Sequence, residues 1–335
     1  MTKPQREAYI NGTGMYVPER VLTNAELERM VDTSDEWIVT RTGIKERRIA
    51  AKGAGTSDLD APAARDAIAE AGISPEEIDL IVCATFTPDT PCPAAAQLLQ
   101  EKIGAVNAAS FDLGAACSGF VYGLTTAKQF IATGQSDTVL VIGADKLSSV
   151  TNWSDRNTCV LFGDGAGAAI VSATPGPLRI RASHLASDGS MATLLHQPAG
   201  GSAKPVTREL VEEGGHFLVM NGRKVFKAAI LSMEKAVDVL LEREGLSHSE
   251  IAWLLPHQAN MRIIKVLGDY LHLPPEKVFT NVQRYGNTSA ATTAIGLHEL
   301  RQEASLTAGD KIVIVAFGAG FTSGACLLEC QALPT

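Results

Sequence analysis

The sequence predicts an α/β protein built as a layered sandwich from two similar halves, and two observations carry this prediction. The first is an internal repeat: residues 73–82 resemble residues 246–255, and residues 137–142 resemble residues 310–315, both at an offset of 173 positions. The second is that near-continuous apolar strands alternate with helical segments in each half, which is typical of sheets covered on both faces. Two such units predict a sandwich with helices between two sheets.

The elements of the first half follow in a clear order. Apolar periodicity predicts a helix at 61–71, and the apolar run at 78–85 predicts a buried strand. A short strand, a small-residue turn and a helix lie within 107–134, where Gly134 suits a helix C-cap. Two further strands are predicted at 138–143 and 166–172.

The second half repeats this order. The same reasoning predicts helices at 225–244, 259–271 and 288–303, and strands at 251–255, 311–317 and 324–330. The turn formers at 173–177 separate the halves, so we divide the chain into residues 1–173 and 174–335.

Cys117 lies where the strand at 108–113 gives way to the N-terminus of a predicted helix. Ala115 and Gly119 around it match the small-residue spacing of a nucleophile elbow. Because a helix N-terminus offers unpaired N–H groups and the positive end of a dipole, we expect a lowered thiol pKa and donors for an oxyanion. A buried structural cysteine is the alternative interpretation of this local pattern.

Two polar residues of the second half lie where the repeat brings them toward Cys117. His257 follows the strand at 251–255, and Asn287 lies near the position that matches the Cys117 elbow at the offset of 173. Each also has an ordinary structural interpretation, as a satisfied histidine and as a helix N-cap. Since two-fold related halves bring their elbows together, we expect Cys117, His257 and Asn287 to converge.

Two other segments are candidates for ligand contacts. The small residues of the loop at 317–324 let the main chain pass close to a substrate and offer it N–H donors. Neither this loop nor the run at 163–167 has the spacing of a dinucleotide or Walker phosphate loop. Trp37 and Arg41 share a helix or turn face, and a ring beside a guanidinium suits stacking on adenine, although a surface pair is the alternative.

The overall composition narrows the class of protein. A formal net charge of −8 argues against nonspecific binding of nucleic acid. Residues 1–13 contain no apolar run and no segment reaches the length of a membrane span, so we expect neither a signal peptide nor a membrane protein. The six cysteines form no Cys-x-x-Cys pair, which favours free thiols and a cytoplasmic location. No cluster has metal-ligand spacing, so we expect no metal site.

Taken together, six short motifs resemble the β-ketoacyl-acyl-carrier-protein synthase III family. Its members are the initiating condensing enzymes of bacterial type II fatty-acid synthesis, and the resemblance implies the thiolase fold, a duplicated αβαβα sandwich. The motifs extend over nearly the whole chain in order: Ser34-Asp35-Glu36-Trp37-Ile38-x-x-Arg41-Thr42-Gly43-Ile44, Ala115-Ala116-Cys117-Ser118-Gly119, Phe162-Gly163-Asp164-Gly165-Ala166, His257-Gln258-Ala259-Asn260, Gly286-Asn287-Thr288-Ser289 and Phe317-Gly318-Ala319-Gly320.

The resemblance implies an acyltransferase that condenses an acyl-CoA primer with malonyl-acyl-carrier protein, with loss of CO₂, to give a 3-oxoacyl-acyl-carrier protein. Cys117 would take the acyl group, and the main-chain N–H groups of Cys117 and Ala319 would bind the oxyanion. His257, kept neutral by an apolar setting, and Asn287 would hydrogen-bond the malonyl thioester carbonyl. CoA enters as a thioester substrate, no separate cofactor is implied, and family members are homodimers paired through a central strand.

The resemblance also implies three sets of binding residues. For CoA they are Trp37, Arg41, Arg156, Gly222, Phe226, Ala259 and Asn260; for the acyl pocket, Cys92, Leu147, Phe162 and Met220; and for carrier-protein docking, Gln258, Arg262 and Lys265.

Two positions depart from the family's pattern. Many members that use acetyl primers have a large aromatic residue where Cys92 stands, and that residue closes the acyl pocket of the neighbouring subunit. A smaller residue leaves a roomier pocket, so a longer or branched primer is an open alternative. Asp269 and Tyr270 stand where related chains often have lysines for the carrier protein, and Lys265 would compensate.

Other functions share part of this residue pattern. A thiolase needs a second cysteine in the last glycine loop, and residues 317–320 have none. A polyketide starter synthase, or a relative that transfers acyl groups to oxygen or nitrogen, keeps the same three polar residues and stays open. A thiol protease also uses Cys, His and Asn, but the repeat and the absence of a secretion signal disfavour it. A non-catalytic scaffold would bury three polar groups at a cost in free energy.

Overall fold

The structure is a computed structural model and describes residues 5–332, so the outermost residues of the two predicted domains lie outside it. The strands are β1 (Tyr9–Tyr16), β2 (Val21–Thr23), β3 (Glu46–Arg48), β4 (Leu80–Ala84), β5 (Ala109–Leu113), β6 (Thr138–Lys146), β7 (Asp164–Ser172), β8 (Leu178–Ser187), β9 (Leu195–His196), β10 (Val219–Met220), β11 (Trp253–Pro256), β12 (Lys311–Gly318) and β13 (Thr322–Cys330). The α-helices are α1 (Asn24–Leu27), α2 (Asp35–Thr42), α3 (Thr56–Ala71), α4 (Ala95–Ile103), α5 (Gly119–Thr133), α6 (Arg208–Glu212), α7 (Gly222–Glu244), α8 (Met261–Tyr270), α9 (Val282–Tyr285) and α10 (Ala291–Glu303).

Nine strands form one mixed sheet in the order β11-β12-β13-β8-β1-β7-β6-β4-β5. The two halves have the same strand pairing: β4 with β6 and β11 with β12 are parallel, and the next two pairs in each half are antiparallel. The halves join through a short antiparallel pairing of β1 with β8, at Tyr9–Arg179 and Ile10–Leu178. Because both halves share this sheet, the division of the chain at residue 173 stays a prediction.

The helices form three layers about the sheet. The interior helices α5 and α10 bury Phe120, Leu124, Leu297 and Leu300 in one core with apolar residues of both halves. Helices α3 and α4 cover the outer face of the first half, and α7 and α8 cover that of the second. Helices therefore cover both faces of each half, as the alternation of apolar strands and helices predicted, but the two predicted sheets are joined edge to edge into one through β1 and β8. The layers correspond to the αβαβα arrangement that the resemblance implied.

Strand β1 was not predicted, and its glycines explain why. Its sequence, YINGTGMY, lacks the apolar run of a buried strand, because Gly12 and Gly14 lie directly against the backbone of α3. A Cβ atom at either position would collide with a carbonyl oxygen of α3, at Ala67 or Ala63. Close packing of α3 on β1 thus requires glycine at these two positions, so β1 lacks the apolar run from which a buried strand is predicted.

The two predicted elbows correspond closely. Ala116 and Ser289 are 173 positions apart, and both have a positive φ, 45° and 57°, which is uncommon outside glycine. Each precedes an interior helix, α5 or α10. The elbows touch, since a Cβ atom at Gly119 would lie 3.3 Å from the Cβ of Ala290.

Two further properties apply to the part of the chain that the structure describes. None of its helices combines the length and the apolar character that crossing a lipid bilayer requires. No group of three or more His, Cys, Asp and Glu side chains within residues 5–332 is arranged to hold a metal ion.

Candidate active site

Cys117, His257 and Asn287 line one cavity of about 680 Å³. Cys117 comes from the elbow of the first half, and the other two come from loops of the second half. All three are largely buried, with exposed fractions of 8%, 4% and 7%, so they line the interior of the cavity and do not lie on an outer surface. The structure therefore brings together in one cavity the three residues that were predicted to converge from the internal repeat.

Cys117 lies in a single 3₁₀ turn, Ala116–Ser118, immediately before α5. Burial raises the pKa of its thiol to about 12, although a contact with Ser289 acts in the opposite direction. The expectation of a lowered pKa was wrong, because full desolvation of the thiolate outweighs stabilisation from the helix N-terminus and the Ser289 hydroxyl. The resting sulfur is thus a neutral thiol.

His257 follows β11, and its main-chain N–H donates to Val315 O at 2.8 Å, which extends the pairing with β12 by one residue. Burial lowers the pKa of the imidazole to about 3, so the ring is neutral, as expected. Its Nδ1 lies 2.6 Å from the hydroxyl oxygen of Thr292 on α10. Nε2 is therefore the ring nitrogen that remains for a ligand in the cavity.

Asn287 lies between α9 and α10 and is held by main-chain hydrogen bonds on both sides. Its N–H donates to Leu161 O at 2.8 Å, and its carbonyl accepts from the N–H of Gly163 at 3.0 Å. Its side-chain Oδ1 accepts from the N–H of Ser289 at 2.8 Å. With the oxygen engaged, the amide NH₂ is the end of the side chain that can donate to a ligand.

The glycine loop after β12 passes directly against the main chain of Cys117. A Cβ atom at Gly318 would lie 2.8 Å from Cys117 N and 2.9 Å from Ala115 O, so only glycine permits this approach. The Thr322 hydroxyl donates to Ala115 O at 2.8 Å and ties the two segments together. Ala319 lines the cavity beside Cys117. Main chain from both segments thus borders the sulfur, which is the arrangement that an oxyanion hole requires.

The predicted CoA residues gather at the mouth of the cavity. Five of them line the cavity itself: Arg41, Gly222, Phe226, Ala259 and Asn260. Trp37 lies beside them on α2, where the guanidinium carbons of Arg41 and Arg156 approach its ring centroid to 4.4 Å and 5.2 Å. A half-buried aromatic ring with two guanidinium groups close to it suits a ligand that has a planar ring and an anionic group.

The inner wall of the cavity is apolar. Leu147, Phe162 and Met220 line it, as predicted for an acyl pocket. Cys92 does not line the cavity of its own chain; it is exposed in the loop before α4. Several other wall residues were not predicted from the sequence: Phe86, Leu161, Leu195, Leu218, Val225, Met233 and Phe317. The internal repeat could have predicted one of them. Phe86 follows β4 in the first half, and the position 173 residues later is Ala259, which follows β11 and was predicted to line the site.

The three predicted docking residues have different environments. Arg262 and Lys265 are exposed on α8, near the mouth of the cavity. Gln258 is completely buried, and its side chain donates to Pro256 O and Phe279 O at 2.7 and 3.1 Å. Its Oε1 accepts from two main-chain N–H groups, those of residues 281 and 282. The docking prediction for Gln258 was wrong, because its hydrogen bonds fasten the His257 segment to the chain that leads to Asn287.

Comparison with known proteins identifies the family. Residues 111–189 match the family model of 3-oxoacyl-[acyl-carrier-protein] synthase III, and residues 241–330 match the model of its C-terminal part. A β-ketoacyl-[acyl-carrier-protein] synthase III from Symbiobacterium thermophilum is 52% identical over 324 residues, which cover 97% of this chain and 98% of the relative. The chain belongs to the β-ketoacyl-acyl-carrier-protein synthase III family.

Solved structures agree with this assignment. The synthase III of Aquifex aeolicus matches with a TM-score of 0.89 and 46% identity, over 96% of this chain and 99% of that one. A priming β-ketosynthase from the R1128 polyketide biosynthetic pathway matches with a TM-score of 0.90 and 35% identity, over 100% and 99%. The predicted family, thiolase fold and enzyme class are confirmed. This synthase III is an acyltransferase that condenses an acyl-CoA with malonyl-acyl-carrier protein and so initiates fatty-acid synthesis.

Proposed function

We propose that Cys117 carries the acyl group in this condensation and that His257 and Asn287 promote the loss of CO₂. The observation that supports these roles is the convergence of the three side chains in one cavity, with the main chain of Gly318 and Ala319 beside the sulfur. The cavity offers a nucleophile, two neutral hydrogen-bond donors and a site for an oxyanion, which together are the groups that the reaction needs.

In the first step the Cys117 sulfur attacks the carbonyl carbon of the acyl-CoA. The N–H groups of Cys117 and Ala319 stabilise the tetrahedral oxyanion, and the bond to the CoA sulfur then breaks. Because the pKa of the thiol is about 12, the proton leaves the Cys117 sulfur during the attack and not before it. The departing CoA sulfur takes up a proton, so acyl-Cys117 and free CoA are formed.

In the second step a malonyl thioester occupies the space that CoA has left. His257 Nε2 and the amide of Asn287 donate to its thioester carbonyl oxygen, which becomes an enolate oxygen as CO₂ departs. The enolate carbon attacks the acyl carbonyl carbon, the bond to the Cys117 sulfur breaks, and the released thiolate takes up a proton from solvent to restore the neutral thiol. Neutral donors suit this step, because a histidine whose pKa is about 3 keeps its donor role without a change of charge.

We assign the CoA end of the substrate to the mouth of the cavity. Trp37 contacts the adenine, and Arg41 and Arg156, whose guanidinium carbons lie 4.4 Å and 5.2 Å from the centroid of that ring, bind the phosphates. The pantetheine arm then follows Gly222, Phe226, Ala259 and Asn260 inward to Cys117. All the reacting groups come from the protein and the thioesters, so we propose that no further cofactor takes part. Arg262 and Lys265 are proposed to meet the acidic carrier protein.

We also propose a homodimer formed through β5, in the cytoplasm. Strand β5 is an edge of the nine-stranded sheet, and an edge strand can pair with a strand of a second copy. Asp112 on β5 accepts from the N–H groups of Ala95 and Ala96 at 2.8 Å, which anchors the loop of Cys92 beside this edge. We propose that this loop of a partner subunit reaches the acyl pocket. The six cysteines are all free, which is consistent with a reducing compartment.

A second candidate is a starter synthase that uses a longer or branched primer. The similarity to the priming β-ketosynthase supports it, as does the small side chain of Cys92 where a large aromatic residue closes the pocket in many relatives. Both candidates share the chemistry at Cys117 and differ in the acyl group that they accept.

The test is intact-mass measurement after incubation with acetyl-, butyryl-, isobutyryl- and octanoyl-CoA. We expect one acyl group per chain, located on Cys117 by peptide mapping. Malonyl-acyl-carrier protein should then remove this group and give the matching 3-oxoacyl-carrier protein. No adduct, or an adduct on another cysteine, would contradict the proposed role. Acylation by acetyl-CoA alone favours the first candidate, and acylation by the longer primers favours the second.

A further inference from the structure

Thr292 is the residue outside the predicted site that makes the shortest contact with it. It lies in the first turn of α10 and is 1% exposed. Its hydroxyl oxygen is 2.6 Å from His257 Nδ1 and 2.9 Å from the carbonyl oxygen of Ser289. Within residues 5–332, Thr292 is the hydrogen-bond partner that the structure gives to Nδ1 of this buried ring.

The hydroxyl has one proton and two acceptors within reach, so two arrangements fit these distances. In the first, Thr292 donates to Ser289 O, Nδ1 carries the ring proton and donates to the hydroxyl, and Nε2 presents a lone pair to the cavity. In the second, Thr292 donates to Nδ1, and Nε2 carries the ring proton. The position of the hydroxyl proton therefore decides whether Nε2 of His257, the nitrogen left for a ligand, accepts or donates a hydrogen bond.

Two observations favour the second arrangement. Ser289 O already accepts the main-chain N–H of Thr292 at 3.1 Å, so it keeps a partner when the hydroxyl turns away. The separation of 2.6 Å between the hydroxyl oxygen and Nδ1 is short for an N–H donor and closer to the length of an O–H donor, and it is shorter than the 2.9 Å from the same hydroxyl to Ser289 O. The role of His257 as a donor to the malonyl carbonyl, which we proposed above and on which this inference rests, also requires the proton on Nε2.

We propose that the Thr292 hydroxyl donates to Nδ1 of His257 and thereby holds the ring in the Nε2–H form that decarboxylation needs. Thr292 is thus a positioning residue, which acts through His257 and does not touch the substrate. Its position on α10 also fixes the plane of the ring, because that helix begins at the elbow that carries Asn287 and Ser289. One helix start therefore orients both donors.

The test compares Thr292→Val, which keeps the volume and removes the hydroxyl, with Thr292→Ser, which keeps the hydroxyl. We expect Thr292→Val to slow decarboxylation of malonyl-acyl-carrier protein about 10- to 100-fold, as loss of a partner that orients a histidine typically does. Acylation of Cys117 should stay within about threefold, since it does not need the Nε2 proton. Thr292→Ser should restore most of the rate.

The chain offers a matched control in the next residue of the same helix. Thr293 is also completely buried, but its hydroxyl has no hydrogen-bond partner, so Thr293→Val removes no bond. We expect normal decarboxylation in that variant. Equal losses in Thr292→Val and Thr293→Val would show a packing effect in α10 and would overturn the proposal.

A spectroscopic readout separates this inference from the proposed function. In ¹⁵N spectra of protein labelled at histidine, with the signal assigned by its loss in His257→Gln, His257 should carry its proton on Nε2. A proton on Nδ1 would overturn the role of Thr292. If the wild-type enzyme itself fails to decarboxylate the malonyl thioester, the proposed function fails. If the wild type decarboxylates and Thr292→Val matches it, the inference alone fails.

Discussion

The two elbows at the centre of the molecule have the same backbone and different chemistry. Each places a non-glycine residue at positive φ, Ala116 or Ser289, three or two residues before an interior helix begins. The next residue is Cys117 in the first elbow and Ala290 in the second. The functional side chain of the second elbow is Asn287, which lies before the positive-φ residue and is oriented by the N–H of Ser289.

This difference indicates a division of labour between duplicated halves. The first elbow offers a nucleophile at a helix start, so it suits the covalent step. The second elbow has no cysteine, but it holds an amide and, through α10, the imidazole of His257, so it suits stabilisation of an enolate. The two steps should therefore be separable by mutation, and the following predictions test that separation.

The largest effect is expected at the first elbow. Cys117→Ser should lower acyl transfer from CoA by at least about 10³-fold, because a neutral hydroxyl is a much weaker nucleophile in this buried site. Intact-mass measurement of the acyl-enzyme checks this, and thermal unfolding at the wild-type temperature would show that the fold is unchanged. A variant that still accumulated acyl-enzyme would refute the role of Cys117.

The second elbow should show the opposite pattern. His257→Ala and Asn287→Ala should each slow decarboxylation about 10²- to 10³-fold, the usual result of removing one donor to a developing oxyanion. Acylation of Cys117 should stay within about threefold in both variants. The two half-reactions are measured separately, by CO₂ release and by intact mass. Loss of acylation with decarboxylation preserved would contradict the division of labour.

The sequence alone predicted the two elbows, and the features that it failed to predict have physical causes. The constant offset of 173 placed both elbows in register, since Ala116 and Ser289 share a backbone conformation at that spacing. The sequence did not reveal the role of Gln258, because a glutamine in a polar motif looks exposed until its four main-chain partners are known. It also failed at the pKa of Cys117, since the depth of burial depends on how the halves pack and not on the local motif.

A smaller effect is expected from pH on the second elbow. Burial lowers the pKa of His257 from 6.5 to about 3, so the ring becomes protonated only near pH 3. Between about pH 5.5 and 8 it stays neutral, and we expect the decarboxylation rate to lack the acidic limb near pH 6.5 that an ordinary histidine would produce. The measurement is single-turnover decarboxylation across this range. A limb near pH 6.5 that disappears in His257→Ala would show that the ring titrates normally.

The smallest effect is expected outside both elbows, at the mouth of the cavity. Lys265 is exposed on α8, one turn beyond Arg262, whose guanidinium carbon lies 5.4 Å from the ring centroid of Phe226. Lys265→Glu should raise the KM for malonyl-acyl-carrier protein about three- to tenfold, because it repels an acidic partner without changing the reacting groups. The effect should shrink in 0.5 M salt, which screens exposed charges.

A matched substitution separates local docking from the overall charge of the protein. Lys235 is exposed on α7, so Lys235→Glu changes the net charge by the same amount as Lys265→Glu. If carrier docking is local to α8, only the Lys265 variant should raise this KM, and acylation by acyl-CoA should be normal in both. Equal changes in the two variants would instead indicate long-range repulsion by a chain whose net charge is already −8. In that case the net charge of the whole surface, and not a local site on α8, would govern binding of the carrier protein. The division of labour between the two elbows would be unaffected.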